Sequence, residues 1–184
     1  MTEVLVLQHP MEVGNAKGSA RLLHLSLLHS QLVTGEVFDE PTLHGLLCAP
    51  WPADKNSRPH KQAVLLYPDT PQDPGLGLGT PPVLDPALLS DPGGLRLIVL
   101  DGTWRKSRKM LYRNPLLQQL PRLALRDLPP SHYLIRKAHR PDQRSTLEAT
   151  CAALAQLEGE TGQFEPLMLA FDGFVAQQSA RQSR

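Results

Sequence analysis

The sharpest chemical feature of the sequence is an acid at the end of an apolar run. Residues 95–100 read Leu-Arg-Leu-Ile-Val-Leu and lead straight into Asp101-Gly102-Thr103-Trp104. Such a run predicts a buried strand, which places Asp101 at a carboxyl end, where open parallel sheets bind their ligands. Gly102 there lets a ligand or another backbone approach closely. The structural alternative is that Asp101 caps a following helix. Trp104 is either a core residue or a surface on which a base stacks.

Directly downstream, Arg105, Lys106, Arg108, Lys109 and Arg113 put five cations into nine residues with no acid among them. On a helix Arg105 and Lys109 repel as i,i+4 neighbours. A phosphate backbone would neutralise that repulsion; the alternative is a solvated helix face. Arg136, Lys137 and Arg140 extend the basic segment. Residues 101–144 carry 11 Lys/Arg against 3 Asp/Glu, although the whole chain is only +1. A neutral protein with one strongly basic segment points to a polyanionic partner.

Other signals are weaker. Gly14 to Ser19 has the look of a phosphate loop, but Lys17 precedes Gly18, the wrong order for one that binds nucleoside triphosphates. It can still open a helix whose amides face an anion. Seven scattered histidines form no ligand spacing, and Cys48 and Cys151 are too few for a disulfide framework or a four-cysteine zinc site. Neither cysteine has an activating neighbour, so both read as packing residues, and a reducing compartment, the cytoplasm, is expected. No apolar run approaches the ~18–20 residues that span a bilayer.

The elements that must position these groups follow from apolar patterning. Strands are predicted at residues 4–8, 33–38, 63–67, 95–100, 122–126 and 133–136. Helices are predicted at 19–30, 105–112 and 145–157, with a last one starting near Pro166 and carrying Leu167, Phe171, Phe174 and Val175 on one face. Ser145-Thr146-Leu147-Glu148 matches a capping box, and Gly159 ends that helix. Prolines at 41, 50, 52 and 59 make residues 41–61 read as irregular, and the Pro- and Gly-rich segment 68–94 reads as a long loop. Near-continuous apolar strands alternating with helices imply an α/β fold: a single domain with a mostly parallel sheet and helices on both faces. The domain is expected to occupy residues 1–176, with a polar, frayed tail at 177–184.

Taken together, these segments resemble the DTW-domain family. The resemblance rests on Asp101-Gly102-Thr103-Trp104 after its strand, and on three further segments in the same order. These are Gln8-His9-Pro10-Met11-Glu12 with Lys17-Gly18-Ser19-Ala20, then Leu66-Tyr67-Pro68, then Arg136-Lys137 followed by Ser145-Thr146-Leu147-Glu148-Ala149. It covers residues 4 to about 158. It implies a tRNA-uridine aminocarboxypropyltransferase with a SPOUT-like knotted α/β fold. Such an enzyme moves the 3-amino-3-carboxypropyl group of S-adenosylmethionine to uridine N3 and leaves methylthioadenosine.

The resemblance also implies a division of labour. Asp101, Thr103 and Trp104 would be catalytic, with Asp101 either a general base for N3 or a ligand of the donor's amino group. Ser19, Tyr67, Leu100, Leu134, Ile135, Ser145 and Thr146 would bind S-adenosylmethionine. Lys17, Arg105, Lys106, Arg108, Lys109, Arg113, Arg136 and Lys137 would hold the tRNA. Many family members carry an N-terminal cysteine cluster that looks zinc-binding; this chain lacks one, so no metal is expected. The partner is tRNA rather than a membrane, and the protein would be a monomer or homodimer. Two alternatives stand beside this reading: a SPOUT-like RNA methyltransferase using the same donor, and a non-catalytic RNA-binding module.

Overall fold

The computed structural model describes residues 1–15, 18–51, 61–68, 80–125, 144–159 and 162–182. Its centre is a five-stranded sheet in the order β2-β1-β4-β3-β5, formed by β1 (Glu3–Gln8), β2 (Ser30–Thr34), β3 (Gln62–Leu66), β4 (Leu95–Asp101) and β5 (Arg122–Leu123). Every pairing is parallel. β1 and β4 lie side by side in the interior of the sheet and are buried along their whole lengths. That is why their sequences are apolar without alternation: both faces are covered.

Successive side chains of each strand serve two cores. Val4, Val6, Val64, Leu97 and Val99 point to one face, covered by α1 (Ala20–Ser26), α5 (Thr146–Glu158) and α6 (Glu165–Gln182). Leu5, Leu7, Leu65, Ile98 and Leu100 point to the other, covered by α2 (Glu40–Cys48), α3 (Trp104–Arg113) and the short α4 (Pro115–Gln118). Each fully buried Leu or Val of this kind contributes about 1.5–3 kcal/mol of burial free energy.

This arrangement creates a crevice at one place. After β1 the chain turns to α1 on the first face and on to β2 at the edge. After β4 it turns to α3 on the opposite face and reaches β5 at the other edge. The carboxyl ends of β1 and β4 are therefore a topological switch point, where connections diverge and leave room for a ligand.

Several expectations need correction. Residues 41–61 are not all irregular, because α2 occupies Glu40–Cys48. Pro41 sits in its first turn, where a missing N–H costs nothing, and Asp39 caps it by accepting from the Thr42 amide at 2.9 Å. The second strand is Ser30–Thr34 rather than 33–38. Asn114 draws the chain away from the sheet: it accepts from the Phe38 amide and donates to the Glu36 carbonyl, both at 2.9 Å. The helix expected over 19–30 ends at Ser26, and the strand at 122–126 is two residues long. Within 68–94, the described part holds two short 3-10 turns, Pro86–Ser90 and Pro92–Gly94. α6 runs through Gln182, into the tail expected to fray. The strand predicted at 133–136 lies outside the described residues.

Candidate active site

The crevice between β1 and β4 is lined from both strands. Gln8 and Asp101 end them and are register partners. Asp101 is only 6% exposed. Its Oδ2 accepts from Gln8 Nε2 at 2.9 Å and its Oδ1 from Thr146 Oγ1 at 2.6 Å. Its carbonyl accepts from the His9 amide at 2.9 Å. The carboxylate is thereby oriented by two neutral donors, one from β1 and one from the first turn of α5. The positive end of the α5 dipole adds a further favourable field. Among the described residues no cation pairs with it.

Asp101 is not the cap of α3. Thr103 takes that position, accepting from the Lys106 amide at 3.4 Å. Gly102 lies between the two because a Cβ there would stand 3.1 Å from the Lys106 Cβ and 3.6 Å from that of His9.

On the α5 side the predicted capping box is present. Ser145 Oγ accepts from the Glu148 amide at 3.1 Å, and Glu148 Oε2 accepts from the Ser145 amide at 2.8 Å. Gly159 closes the helix with φ of 71°, the left-handed conformation glycine adopts freely. Ser19, at the start of α1, accepts from the Leu147 amide at 3.3 Å. Ser19 and the pair Ser145-Thr146, far apart in the sequence, are thus brought together at the start of α5, where Thr146 reaches Asp101.

On the other face, Tyr67 follows β3 and packs against the ring of Trp104, centroids 5.2 Å apart and planes at 17°. Leu100 is buried in the core on this side. Lys17, Leu134, Ile135, Arg136, Lys137 and Arg140 lie outside the described residues.

The basic helix α3 looks different in place. Lys106 pairs with Glu12 at 2.7 Å, and Lys109 and Arg113 pair with Glu36 at 3.0 and 2.7 Å. Glu36 also accepts from His9 Nε2 at 2.8 Å. Lys109, then His9 and Arg113, hold the Glu36 carboxyl down at about 2. His9 Nδ1 in turn accepts from the Met11 amide at 3.2 Å, which fixes the turn Pro10–Glu12 against α3. Arg105 remains exposed on this helix.

Sequence reading assigned no role to Gln8, His9, Glu12 or Glu36. The signal available for the first three was the segment Gln8 to Glu12 itself, polar groups at the end of an apolar strand. Glu36 carried none. Burial pushes the Cys151 thiol up to about 12, with Glu148 adding to the effect, so it is a packing group and not a nucleophile. Cys48 is exposed at the end of α2. No helix among the described residues is long and apolar enough to cross a membrane.

Among curated proteins, the tRNA-uridine aminocarboxypropyltransferase 2 of Drosophila melanogaster is 28% identical over 159 residues, covering 85% of this chain and 57% of the fly protein. The chain therefore spans little more than half the length of that relative. No solved structure matches it. The DTW domain, as a family model, matches residues 1–179, and its signature residues Asp101, Thr103 and Trp104 stand together at the switch point of the sheet: the chain belongs to the DTW-domain family.

Proposed function

We propose that this protein transfers the 3-amino-3-carboxypropyl group of S-adenosylmethionine to N3 of a uridine in tRNA, releasing methylthioadenosine. The SPOUT-like knotted connectivity and a cytoplasmic setting belong to the same reading. The observation that carries it is Asp101, a buried carboxylate gripped by two neutral donors with no cation against it among the described residues. A buried charge without a counter-charge is costly, and at a ligand crevice it marks a group awaiting one.

S-adenosylmethionine fits that requirement, because it brings a sulfonium, an ammonium and, when bound, an electrophilic methylene on the sulfonium sulfur. Ser19, Ser145 and Thr146 from the α1 and α5 termini, with Leu100 at the end of β4, are the described residues that would hold it. Leu134 and Ile135 are assigned with them.

Asp101 serves two needs in sequence. Its negative charge faces the positive end of the donor, and its oxygen then accepts the proton from uridine N3. Transfer forms an N3–C bond and breaks a C–S bond; the electron pair left on sulfur cancels the positive charge, and the N3 proton neutralises Asp101. The step cancels the sulfonium charge against that of Asp101, while the ammonium and carboxylate of the transferred group keep theirs, so one opposed pair of charges is removed from a buried location. Gln8 and Thr146 hold the carboxylate in place so that geometry, not diffusion, selects the methylene over the methyl; orientation of this kind is worth up to about 7–11 kcal/mol.

N3 is hidden in a base pair, so the target uridine must be unpaired or flipped out. Arg105 and Arg108 on α3, with Lys17, Arg136 and Lys137, are assigned to the tRNA backbone. Lys106, Lys109 and Arg113 would join them only as members of their pairs with Glu12 and Glu36.

Mass spectrometry of nucleosides tests this reading. Unmodified tRNA incubated with the full chain and S-adenosylmethionine should yield an aminocarboxypropyl uridine and an equal amount of methylthioadenosine, both lost in Asp101→Asn. A methylated base with S-adenosylhomocysteine would replace the reading with a methyltransferase. RNA binding without donor binding would replace it with a non-catalytic module.

A further inference from the structure

We infer that Trp104 is the platform on which the target uracil stacks, held rigid by Tyr67 and Arg122. The inference rests on the reading above and deepens it by naming what receives the acceptor base.

The chain has two tryptophans, and they are treated oppositely. Trp51 is 8% exposed, and Trp104 is 51% exposed. Trp104 is the first residue of α3, three positions after Asp101. One face of its indole lies on Tyr67, at 5.2 Å and 17°. Tyr67 is itself buried, and the Arg122 guanidinium sits 5.2 Å from its ring centroid. Arg122 is fixed further by donating to the Pro68 carbonyl at 3.3 Å. Guanidinium and indole thus both lie against the Tyr67 ring, and of the two aromatic rings the indole is the one that meets solvent.

A single exposed aromatic is ordinary. A ring locked by a parallel ring below it, itself held by a cation, is not a floppy surface side chain: its orientation is already determined in the fold. A base that stacks on it then loses only its own freedom. Stacking on aromatic side chains is the standard way proteins hold an unpaired base.

The position favours the acceptor over the donor's adenine. Ser19, Ser145 and Thr146 belong to helices on one face of the sheet, whereas Tyr67 packs into the core of the opposite face. Asp101 stands at the strand end between them. Donor and acceptor can then enter from opposite sides of the strand end, which lets N3 approach the methylene from the side away from the sulfonium sulfur, as an in-line displacement needs. Tyr67, expected among the donor ligands, becomes the support of the acceptor platform.

The test uses the full chain with Trp104→Phe and Trp104→Leu. The probes are a short single-stranded oligouridylate for the platform and methylthioadenosine for the donor site. Oligouridylate should quench the indole emission of the wild type. Trp104→Leu should weaken oligouridylate binding about ten- to a hundredfold and raise KM for tRNA similarly, with methylthioadenosine affinity unchanged. Trp104→Phe, which keeps a stacking face and guards against misfolding in the Leu variant, should recover most of both.

Loss of methylthioadenosine binding with oligouridylate binding intact would overturn the inference and give the platform to adenine. Unchanged binding of both probes in Trp104→Leu would also overturn it. Because both binding assays are independent of turnover, failure of the transfer reaction and failure of the platform are separate results.

Discussion

β1 and β4 run together from end to end, and their polar residues fall at the two ends. At the amino end Glu3 faces Arg96; at the carboxyl end Gln8 faces Asp101. All four are buried, yet the two ends treat charge differently. Arg96 donates from Nε to Glu3 at 2.8 Å, from Nη1 to the Leu46 carbonyl at 2.7 Å and from Nη2 to the Ala49 carbonyl at 2.8 Å. Trp51 lies over its guanidinium at 4.6 Å, and Lys61 stands 3.6 Å from Glu3. There charge answers charge, and the cluster ties β1, β4 and the end of α2 into one piece. At the other end a carboxylate is met by an amide and a hydroxyl, which orient it without neutralising it. A closed cluster holds the fold; a half-answered charge at the same depth in the same strands is the one the proposed donor would answer.

The largest effects come from breaking each end in turn. Arg96→Met takes the guanidinium away from buried Glu3, leaving Lys61 at 3.6 Å as the more distant cation beside it. It should cost about 3–5 kcal/mol of stability, read as a lower urea midpoint. Asp101→Asn removes a charge that is held by two neutral donors and met by no cation among the described residues. Gln8 can turn its amide to accept from the new side-chain NH₂, so stability should change by less than about 1 kcal/mol. Transfer to uridine should fall by about a hundredfold or more, the scale of general-base loss. If Asp101→Asn unfolds the protein as readily as Arg96→Met does, the two ends are alike and the comparison fails.

Thr146→Val sharpens the point by removing one donor while keeping the side-chain shape. Loss of a hydrogen bond to a buried carboxylate should destabilise by about 1–3 kcal/mol, and kcat should fall about tenfold as Asp101 loses its orientation. In an Asp101→Asn background the same change should have little further effect on turnover. That coupling, measured as a double-mutant cycle, separates positioning of Asp101 from general damage to α5.

What could be read from the sequence follows the same division between local and distant physics. β1, β3 and β4, and the bounds of α5, were legible because apolar runs, the Ser145–Glu148 box and Gly159 are local signals. α2 was missed because Pro41, a breaker inside a helix, is harmless in its first turn, and nothing local announced which it was. Asp101 was the one cap of α3 that the sequence suggested, and Thr103 takes that place; only the point at which β4 ends decides. Gln8 could not be assigned to Asp101, because the bond depends on the register of strands whose residues are 93 positions apart. The cations of α3 looked unpaired for a similar reason. Their acids, Glu12 and Glu36, come from the loops after β1 and β2.

Those pairs extend the comparison to the surface. Arg105, exposed, should carry a full phosphate contact, so Arg105→Ala should reduce the slope of log affinity for tRNA against log salt by about one. Lys109→Ala should reduce it by less, because that charge is already shared with Glu36. Equal slopes for the two variants would mean that the tRNA displaces Glu36 from Lys109.

The smallest effect is the pH and salt dependence of Glu36 itself. Its carboxyl is held at about 2 against an ordinary value of 4.5. A carboxyl depressed by folding stabilises the native state above its unfolded value and loses that contribution as the pH falls through the folded one. The stability difference between wild type and Glu36→Gln should therefore be flat above 4.5 and close as the pH drops toward about 2. Raising the salt concentration at neutral pH should narrow the same difference, because this cluster is open to solvent and screened. The penalty for Arg96→Met should not move with salt, since Glu3 and Arg96 are sealed from it. Salt sensitivity at Glu36 without salt sensitivity at Glu3 distinguishes a surface pairing that RNA can remodel from a buried one that it cannot reach.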